Sequence, residues 1–422
     1  MQSIIDKPLS KFDYFYMFVI VIYMGQATPE TSRMVGDLSG NPIPLLIPMI
    51  LTFILWMKHR VPLANKKFLA VMGLYCVWAI MSLIKYGIYT TGELSYHFFM
   101  IYAIVVAYIQ DAIYGPKLLS LYERIIVWFC KVTTMLWLIS VLIPASSAIF
   151  SLFPKTYIGS NVLYIFEWNS DTLRNSGCAW EPGRYAVMVA LGIYCNLCQN
   201  GIKFHRNSNI WWLLISLAST MSTTGYCTVI VVYSLYYFRK FTLKNIVVYA
   251  FVVAPIVMGL FQLDFMQEKI NSKIDNAQNI ERWKDNFAWN KENHSKDKYL
   301  GSIDRFEAMA FETMDIQADP ILGYSRNFDH SYFHTKMSSQ YVLAHGLLKV
   351  FGMYGIFMGL YFYYILYKSS VQISKNSTIH QPLGLFILFC LSSISYQILS
   401  VPIFTAFWFY GIFNRNNRSL LS

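Results

Sequence analysis

Two arginines and a carboxylate lie close together in a chain that is otherwise strongly apolar. The segment reads Arg174-Asn-Ser-Gly-Cys-Ala-Trp-Glu181-Pro-Gly-Arg184 and directly precedes an apolar block. Pro182 suits the first turn of a helix, which predicts Glu181 at the N-terminal end of that helix and Arg184 in its first turn. Helix N-termini attract anions, and arginine binds phosphate oxygens bidentately. The segment therefore predicts a phosphate or pyrophosphate site, with an interfacial ion pair of Glu181 with Arg184 or Arg174 as the alternative.

Further candidate residues follow later in the chain. Arg305 and Arg326 lie in a long polar segment, and their guanidinium groups stay charged in any environment. His345 ends this segment just before an apolar block, where an imidazole can act as a base or a donor near neutral pH. Glu181 is the other candidate base, although a helix N-terminus should lower the pKa of its carboxyl group. Both remain candidates.

The sequence does not indicate a metal site, a cofactor site or a nucleotide site. Asp329, His330 and His334 approach metal-ligand spacing, but no third strong ligand follows in register. The chain contains no Asp-x-Asp pair and no Gly-x-x-x-x-Gly-Lys-Ser/Thr loop of the kind that drives ATP-dependent transport. The cysteines lie mostly inside apolar blocks, including Cys195 and Cys198, which is typical of buried thiols. We expect neither a metal nor a cofactor.

The elements that position these residues are predicted to be membrane-spanning helices. The 422-residue chain is 55% hydrophobic and 14% charged, and its apolar residues form long blocks without strand-like alternation. A helix needs about 20 mostly apolar residues to span a bilayer. The sequence therefore predicts an all-α polytopic membrane protein with about twelve spans, near residues 13–27, 42–57, 68–84, 94–110, 119–143, 182–198, 210–222, 225–238, 246–261, 346–367, 383–399 and 401–413.

The basic residues predict the orientation of these spans. Lysines and arginines concentrate in alternate connections, as the positive-inside rule requires, so we expect both termini to be cytoplasmic and the first span to be retained. The formal charge of +11 then reflects orientation rather than nucleic-acid binding. The predicted organisation is nine spans in residues 1–261, a large extracytoplasmic loop in residues 262–345, and three spans in residues 346–422.

The large loop is predicted to contain helices of its own. Apolar residues recur at helical spacing from Phe265 to Phe287, which predicts an amphipathic helix lying on the membrane or packed on the spans. A second helix is predicted from Ile303 to Ala318, ending before Pro320. Within the spans, Lys131 either snorkels or lines a lipid groove, and Gly355-x-x-x-Gly359 permits close helix packing.

Several motifs in their order resemble the O-antigen polymerase and O-antigen ligase superfamily of bacterial inner-membrane proteins. The motifs are Arg174-Asn-Ser-Gly, Trp180-Glu-Pro-Gly183, Ser222-Thr-Thr-Gly-Tyr226, Arg305 and Pro320-Ile-Leu-Gly323. The resemblance covers roughly residues 120–413 and extends to the late, large external loop. It implies a fold similar to the GT-C class of membrane glycosyltransferases.

The resemblance also implies a reaction and its substrates. Such polymerases join oligosaccharide repeats carried on undecaprenyl pyrophosphate, at the periplasmic face of the cytoplasmic membrane. The growing glycan moves to the next lipid-linked repeat, and the lipid pyrophosphate leaves. Arg174 and Arg305 would correspond to the arginines proposed in the family to hold that pyrophosphate, whereas Arg184 and Arg326 are added on charge placement. A chain-length regulator protein is a partner implied by the family.

Two other functions remain open at this level. A ligase would transfer finished glycan to lipid A core, and His345 resembles the ligase histidine at the start of the helix after the large loop. The ligase pattern often continues with a polar residue, whereas Gly346 follows here. A polysaccharide flippase would need charged residues along a path open to both membrane faces. We expect the polymerase, because Trp180-Glu-Pro-Gly183 and the candidate charges fit it best.

Overall fold

The chain is a mostly helical, membrane-embedded protein. The structure is a computed structural model that describes residues 8–24, 43–87, 91–144, 146, 153–155, 158–160, 165–169, 172–179, 181–205, 207–237, 247, 287, 301–303, 305–339, 341–343 and 345–413. Within these residues, four helices are long and apolar enough to cross a membrane: Lys66–Tyr86, Tyr96–Tyr114, Lys117–Leu142 and Lys349–Lys375.

The first five helices pack against one another. They are α1 (Lys11–Val19, continued as a π-helix over Ile20–Met24), α2 (Ile43–His59), α3 (Lys66–Tyr86), α4 (Thr91–Tyr114) and α5 (Lys117–Leu142). Asn65 caps α3, since its side-chain oxygen accepts from the amide of Lys67 at 2.9 Å. The predicted spans near 42–57, 68–84, 94–110 and 119–143 are confirmed as helices, with bounds that differ from the predicted ones by one to four residues.

The next helices surround a central one. The central helix is α6 (Pro182–Asn200), and it is buried from Pro182 to Cys198. It packs against α5, α7 (Ser208–Ser219) and α8 (Thr223–Tyr237). Because protein rather than lipid covers its sides, α6 carries polar residues such as Asn196 that a lipid-facing span would exclude. The predicted spans 210–222 and 225–238 correspond to α7 and α8, and residues 220–222 connect them.

Two short sheets amend the all-α prediction. Strands β1 (Phe153–Lys155), β2 (Ile158–Ser160), β3 (Ile165–Asn169) and β4 (Thr172–Asn175) form an antiparallel meander before α6. Strands β5 (Gly301–Ile303) and β6 (Tyr341–Leu343) pair in parallel. These strands are three to five residues long, which is too short for hydrophobic periodicity to reveal them.

The predicted loop helix is confirmed as α9 (Arg305–Ala318), which ends before Pro320. A 3₁₀-helix (Phe328–His330) and a π-helix (Phe333–Met337) follow it. Two predictions fall on residues that the structure largely leaves undescribed. Only Phe287 of the predicted amphipathic helix Phe265–Phe287 and only Val247 of the predicted span 246–261 are described. Phe287 packs on Phe311 and Phe333, so the end of the predicted helix contacts α9 and the π-helix.

Helix α10 (Lys349–Lys375) is interrupted where the segment Asp319–Arg326 packs against it. Gly355 has φ 75° and ψ 167°, a non-helical conformation inside the helix. The loop forms backbone hydrogen bonds there: the amide of Ile356 donates to the Pro320 carbonyl at 2.8 Å, and the amide of Tyr324 donates to the Gly352 carbonyl at 2.8 Å. Gly355 therefore mediates loop packing rather than the helix–helix packing expected from Gly355-x-x-x-Gly359.

The same segment is held from the other side by α3. The Trp78 indole donates to the Leu322 carbonyl at 3.0 Å, and the Tyr86 hydroxyl donates to the Gly323 carbonyl at 2.9 Å. Lys85 forms an ion pair with Asp319. The Pro320-Ile-Leu-Gly323 motif is thus a docking segment that joins the predicted external loop to two membrane helices.

The final apolar block, predicted as the spans 383–399 and 401–413, contains a longer break than the sequence indicates. Helix α11 (Gly384–Ser393) ends early, and α12 (Pro402–Trp408) starts after an irregular stretch. Residues Ile394 to Val401 therefore lie outside regular helix in a region predicted as the span 383–399. Irregular backbone at such a position is tolerated where protein surrounds it. The Ser393 carbonyl accepts from the Gly346 amide at 2.8 Å, which supplies one such partner.

Candidate functional site

The N-terminus of α6 positions Glu181 and Arg184. Pro182 occupies the first helical position, and Glu181 is the N-cap residue with an extended backbone (φ −147°, ψ 153°). The Glu181 side chain does not cap the helix itself. Its carboxylate instead lies within hydrogen-bonding reach of the Tyr396 hydroxyl. Arg184 is one turn into the helix, 7% exposed, and interacts electrostatically with both Glu181 and Tyr396.

Tyr396 brings Arg305 into the same cluster. Tyr396 lies in the break between α11 and α12, and its hydroxyl accepts from Arg305 Nη2 at 3.4 Å. The Arg305 guanidinium also lies over the Tyr396 ring, 5.5 Å from its centroid. Arg305 Nη1 donates to the Thr224 hydroxyl at 3.0 Å, and this hydroxyl is 2.7 Å from that of Ser395. One guanidinium therefore connects α8, α9 and the break.

Two glycines leave room for this arrangement. A side-chain carbon at Gly183 would collide with the Tyr396 hydroxyl, and one at Gly346 would collide with the Tyr396 backbone carbonyl. The glycine of the Trp180-Glu-Pro-Gly183 motif is therefore required by the close approach of the Tyr396 hydroxyl. Gly346 lets the segment that precedes α10 approach the break closely.

The Arg174-Asn-Ser-Gly motif fixes the approach of β4 to α7. Arg174 Nε and Nη2 donate to the carbonyls of Thr220 and Met221, each at 3.2 Å. A cation suits these carbonyls because a helix C-terminus carries partial negative charge. The Asn175 amide donates to the Ser219 hydroxyl at 3.0 Å, and Gly177 adopts φ +54°. Arg174 therefore lies beside the α7–α8 connection, a few residues before Thr224.

The electrostatics of the cluster favour an anion. Arg184 and Arg305 together outweigh the single carboxylate of Glu181, and the cluster adjoins the N-termini of both α6 and α8. Each N-terminus contributes partial positive charge and amide donors. Glu181, Arg184 and Arg305 are thus brought together, with Arg174 beside them. We name the group Glu181, Arg184, Thr224, Arg305 and Tyr396 the arginine cluster.

His345 borders the arginine cluster, but both of its ring nitrogens already have partners. Its Nε2 accepts from the Leu348 amide at 2.9 Å, which leaves Nδ1 as the donor to the Ile394 carbonyl at 3.2 Å. Burial, the largest cause, and the nearby Lys349 charge lower the pKa of His345 from 6.5 to about 4, although the hydrogen bond to the Ile394 carbonyl raises it. The neutral ring therefore joins the start of α10 to the break that carries Tyr396. This arrangement favours a positioning role over that of a base.

Replacing His345 by asparagine should expose this neutral state as a pH-dependent difference in stability. The folded imidazole has a pKa of about 4 and the unfolded one about 6.5, so the unfolded state alone gains a proton as the pH falls through this window. The stability advantage of wild type over His345→Asn should shrink by up to about 2 kcal/mol between pH 7.5 and pH 5. Unfolding in detergent at both pH values measures it, and a constant difference would contradict the assignment.

Arg326 is placed in a different environment from the other predicted arginines. It follows the docking segment, is 9% exposed, and interacts with Tyr75 of α3 and Tyr354 of α10. The predicted pyrophosphate residues therefore divide into the arginine cluster, Arg174 beside it, and Arg326 with its own neighbours.

Buried carboxyl groups on α9 were not predicted from the sequence. Glu312 is fully buried and Asp315 is 1% exposed. Burial raises the pKa of Glu312 to about 8, although the Lys349 charge and a hydrogen bond from Tyr324 both lower it. The Tyr324 hydroxyl donates to Glu312 Oε1 at 3.0 Å. Burial also raises the pKa of Asp315 to about 6. Their spacing along α9 gives no sign of this, because the burial comes from the packing of α9 against α10.

Glu312→Gln should increase stability at alkaline pH. The carboxyl group has a pKa of about 8 when folded and 4.5 in the reference state, so ionisation destabilises the fold progressively as the pH rises through that window. Glutamine resembles the protonated form and avoids this loss. The unfolding midpoint of the variant relative to wild type should therefore rise by a few degrees from pH 5 to pH 9. Gln317→Ala, which changes an exposed uncharged residue of the same helix, is the control and should show no such trend.

The structure also shows the surroundings of two features that the sequence indicated more weakly, the Asp329–His334 spacing and Lys131. His334 Nδ1 lies 3.6 Å from an Asp329 oxygen, and among the described residues no group of three or more histidine, cysteine, aspartate or glutamate side chains is arranged to hold a metal ion. Lys131 lies on the exposed face of α5, which leaves both interpretations of it open.

Sequence reasoning missed Tyr396, Thr224 and Ser395 as members or neighbours of the arginine cluster. The available signal was the polar run from Ser392 to Gln397 inside an apolar block, since polar residues within a span mark a buried or functional position. No protein-family model and no curated protein matches the chain.

Proposed function

We propose that the chain is a membrane glycosyltransferase that polymerises oligosaccharide repeats carried on undecaprenyl pyrophosphate, with a GT-C-like fold of about twelve spans. The observation that supports this most is the arginine cluster. Two arginines, one carboxylate and two helix N-termini surround Tyr396. This combination suits a reaction whose leaving group is a pyrophosphate and whose nucleophile is a sugar hydroxyl.

In the proposed reaction, the acceptor hydroxyl attacks the anomeric carbon of the donor glycan. A new glycosidic bond forms as the bond from that carbon to the pyrophosphate oxygen breaks, and the leaving group keeps the electron pair. Arg184 and Arg305 offset the negative charge that accumulates on the pyrophosphate. Arg174 supports them by fixing the connection that carries Thr224. The acceptor proton moves to a base.

Glu181 is the base that we propose. Its carboxylate is not used to cap α6, and the neighbouring Tyr396 hydroxyl holds it at the edge of the arginine cluster. His345 is the weaker candidate, because its Nε2 already accepts from the Leu348 amide. The ligase alternative depended on this histidine, and the polymerase is therefore the function that we favour.

The proposed setting is the bacterial cytoplasmic membrane, with both termini in the cytoplasm and the arginine cluster at the periplasmic face. The ion pair of Lys85 with Asp319 is consistent with one part of that topology. It requires the end of α3 and the long loop to lie on the same side of the membrane. Both residues were assigned to the external side from the distribution of basic residues.

The direct test is to incubate the purified full chain with a lipid-linked oligosaccharide repeat in nanodiscs. Dimers and longer multimers that remain attached to the lipid would support the polymerase. Glycan transferred to added lipid A core, without multimers, would instead identify a ligase. Movement of unchanged repeats across a proteoliposome membrane, without new bonds, would identify a transporter and exclude the proposed reaction.

A further inference from the structure

Arg326 is a buried cation whose hydrogen-bonding capacity is only partly used. Its Nε and Nη1 atoms are buried and have no hydrogen-bond partner. A guanidinium group stays charged inside a protein. A buried charge is unfavourable unless an opposite charge or several hydrogen bonds compensate it. Within the described part of the chain, Arg326 forms no ion pair.

Among the described residues, the polar neighbours of Arg326 that interact with it are tyrosine hydroxyls and not a carboxylate. The Tyr75 hydroxyl is within hydrogen-bonding reach of the guanidinium and is also 3.1 Å from His97 Nδ1. Tyr354 interacts electrostatically with Arg326, and its buried hydroxyl has no hydrogen-bond partner. The Trp78 ring lies 4.8 Å from the Tyr354 ring and forms an apolar wall. Two orphaned polar groups, one of them cationic, therefore face each other inside the protein.

The backbone before Arg326 is held in an unusual conformation that directs the residue inward. Ser325 has φ 70°, a left-handed conformation that residues other than glycine adopt rarely. Gly323, two residues earlier, has φ 71° and contacts the backbone of α10 so closely that a side chain there would collide with it. Strained backbone of this kind persists where the surroundings over-determine it, often at binding sites. The docking segment thus holds the buried cation in place.

We propose that Arg326, Tyr75 and Tyr354 form a second anion site, which binds one phosphate-class oxyanion. Either unpartnered guanidinium nitrogen can donate to a phosphate oxygen, and the Tyr354 hydroxyl can donate to another. Tyr75 and Tyr354 belong to α3 and α10, two helices long enough to cross a membrane. The anion is either the phosphate of a membrane lipid or a free phosphate compound. The proposal rests on Arg326 and its neighbours, and it stands whether or not the chain polymerises glycans.

The test uses the purified full chain in phosphatidylcholine nanodiscs, with Arg305→Gln as the background to remove anion binding at the arginine cluster. One arm titrates inorganic pyrophosphate by calorimetry. The other compares unfolding midpoints with and without phosphatidic acid in the nanodisc. In this background we expect a response in at least one arm. Adding Arg326→Gln should weaken that response at least tenfold, and adding Tyr354→Phe should weaken it less.

A response to pyrophosphate alone would identify a soluble ligand, and a response to phosphatidic acid would identify a lipid. No response in either arm, or a response that Arg326→Gln leaves unchanged, would overturn the proposal. The ligand-free proteins provide a further criterion. If the buried charge awaits a ligand, Arg326→Gln should unfold at the same temperature as its background or higher. A clearly lower midpoint would instead give Arg326 a purely structural role and would also overturn the proposal.

Discussion

Replacing Arg305 by glutamine is expected to reduce polymer formation about 100- to 1000-fold, the usual effect of losing one preorganised donor to a developing negative charge. Glutamine keeps much of the side-chain volume but removes the charge. It also removes the fork that reaches both Thr224 and Tyr396. Chain length on the lipid carrier, resolved by electrophoresis after incubation with lipid-linked repeats, measures the loss.

The matched control is Arg124→Gln, which removes an exposed arginine on α5 whose partner is Tyr14. This variant should keep wild-type chain lengths. Both variants should accumulate in the membrane to the wild-type level, because Arg305 is only half-buried. Wild-type chain lengths from Arg305→Gln would remove the pyrophosphate role from Arg305. A loss shared equally by Arg124→Gln would point to a general effect of positive charge.

Gly355→Ala is expected to destabilise the protein more than any other alanine substitution that we consider. At φ 75° and ψ 167°, an alanine is strained by about 1–3 kcal/mol even in open space. Here the added carbon would also collide with the Ile321 carbonyl oxygen, a backbone atom that cannot rotate away. The docking segment should separate from α10, and the unfolding midpoint in detergent should fall by several degrees.

Gly73→Ala is the natural comparison for that variant. Gly73 lies within α3, and no atom approaches within 4 Å of the position that its side-chain carbon would take. Alanine is favoured over glycine in a helix by up to about 1 kcal/mol, so this variant should unfold at the wild-type temperature or slightly above it. Equal losses for the two variants would mean that helix flexibility, rather than the packing of the docking segment, determines the effect.

The long helices could be predicted from the sequence because their information is local. Apolar blocks bounded by charge or proline predicted α3 to α5 with small errors in their bounds, and Pro320 correctly predicted where α9 ends. The break between α11 and α12 could not be read in this way. Its backbone is held by residues distant in sequence, such as the Gly346 amide on the Ser393 carbonyl. The hydropathy of a short stretch of sequence gives no information about such a distant partner.

The candidate site could likewise be predicted only in part, where the information was local in the sequence. Charge placed against an apolar block singled out Glu181 and Arg184, and the helix start at Pro182 is confirmed. The polar run around Tyr396 was visible, but its place beside Arg305 could not be predicted, since that contact joins residues 91 positions apart. The surroundings of His345 were equally hidden, because a neighbouring amide and a distant carbonyl occupy its two nitrogens. The residue type of His345 suggested a base, whereas its hydrogen-bond partners indicate a positioning role.

The irregular stretch that carries Tyr396 also affects how the protein is made. Translation delivers Glu181, Thr224 and Arg305 to the membrane before the ten-residue α11 and the seven-residue α12 emerge. Neither of these helices is long enough to insert by itself, so each must enter against helices already in place. The arginine cluster is therefore completed among the last steps of biogenesis. A nascent chain would lack Tyr396 in this cluster, so the proposed reaction could not begin until the final segments have folded.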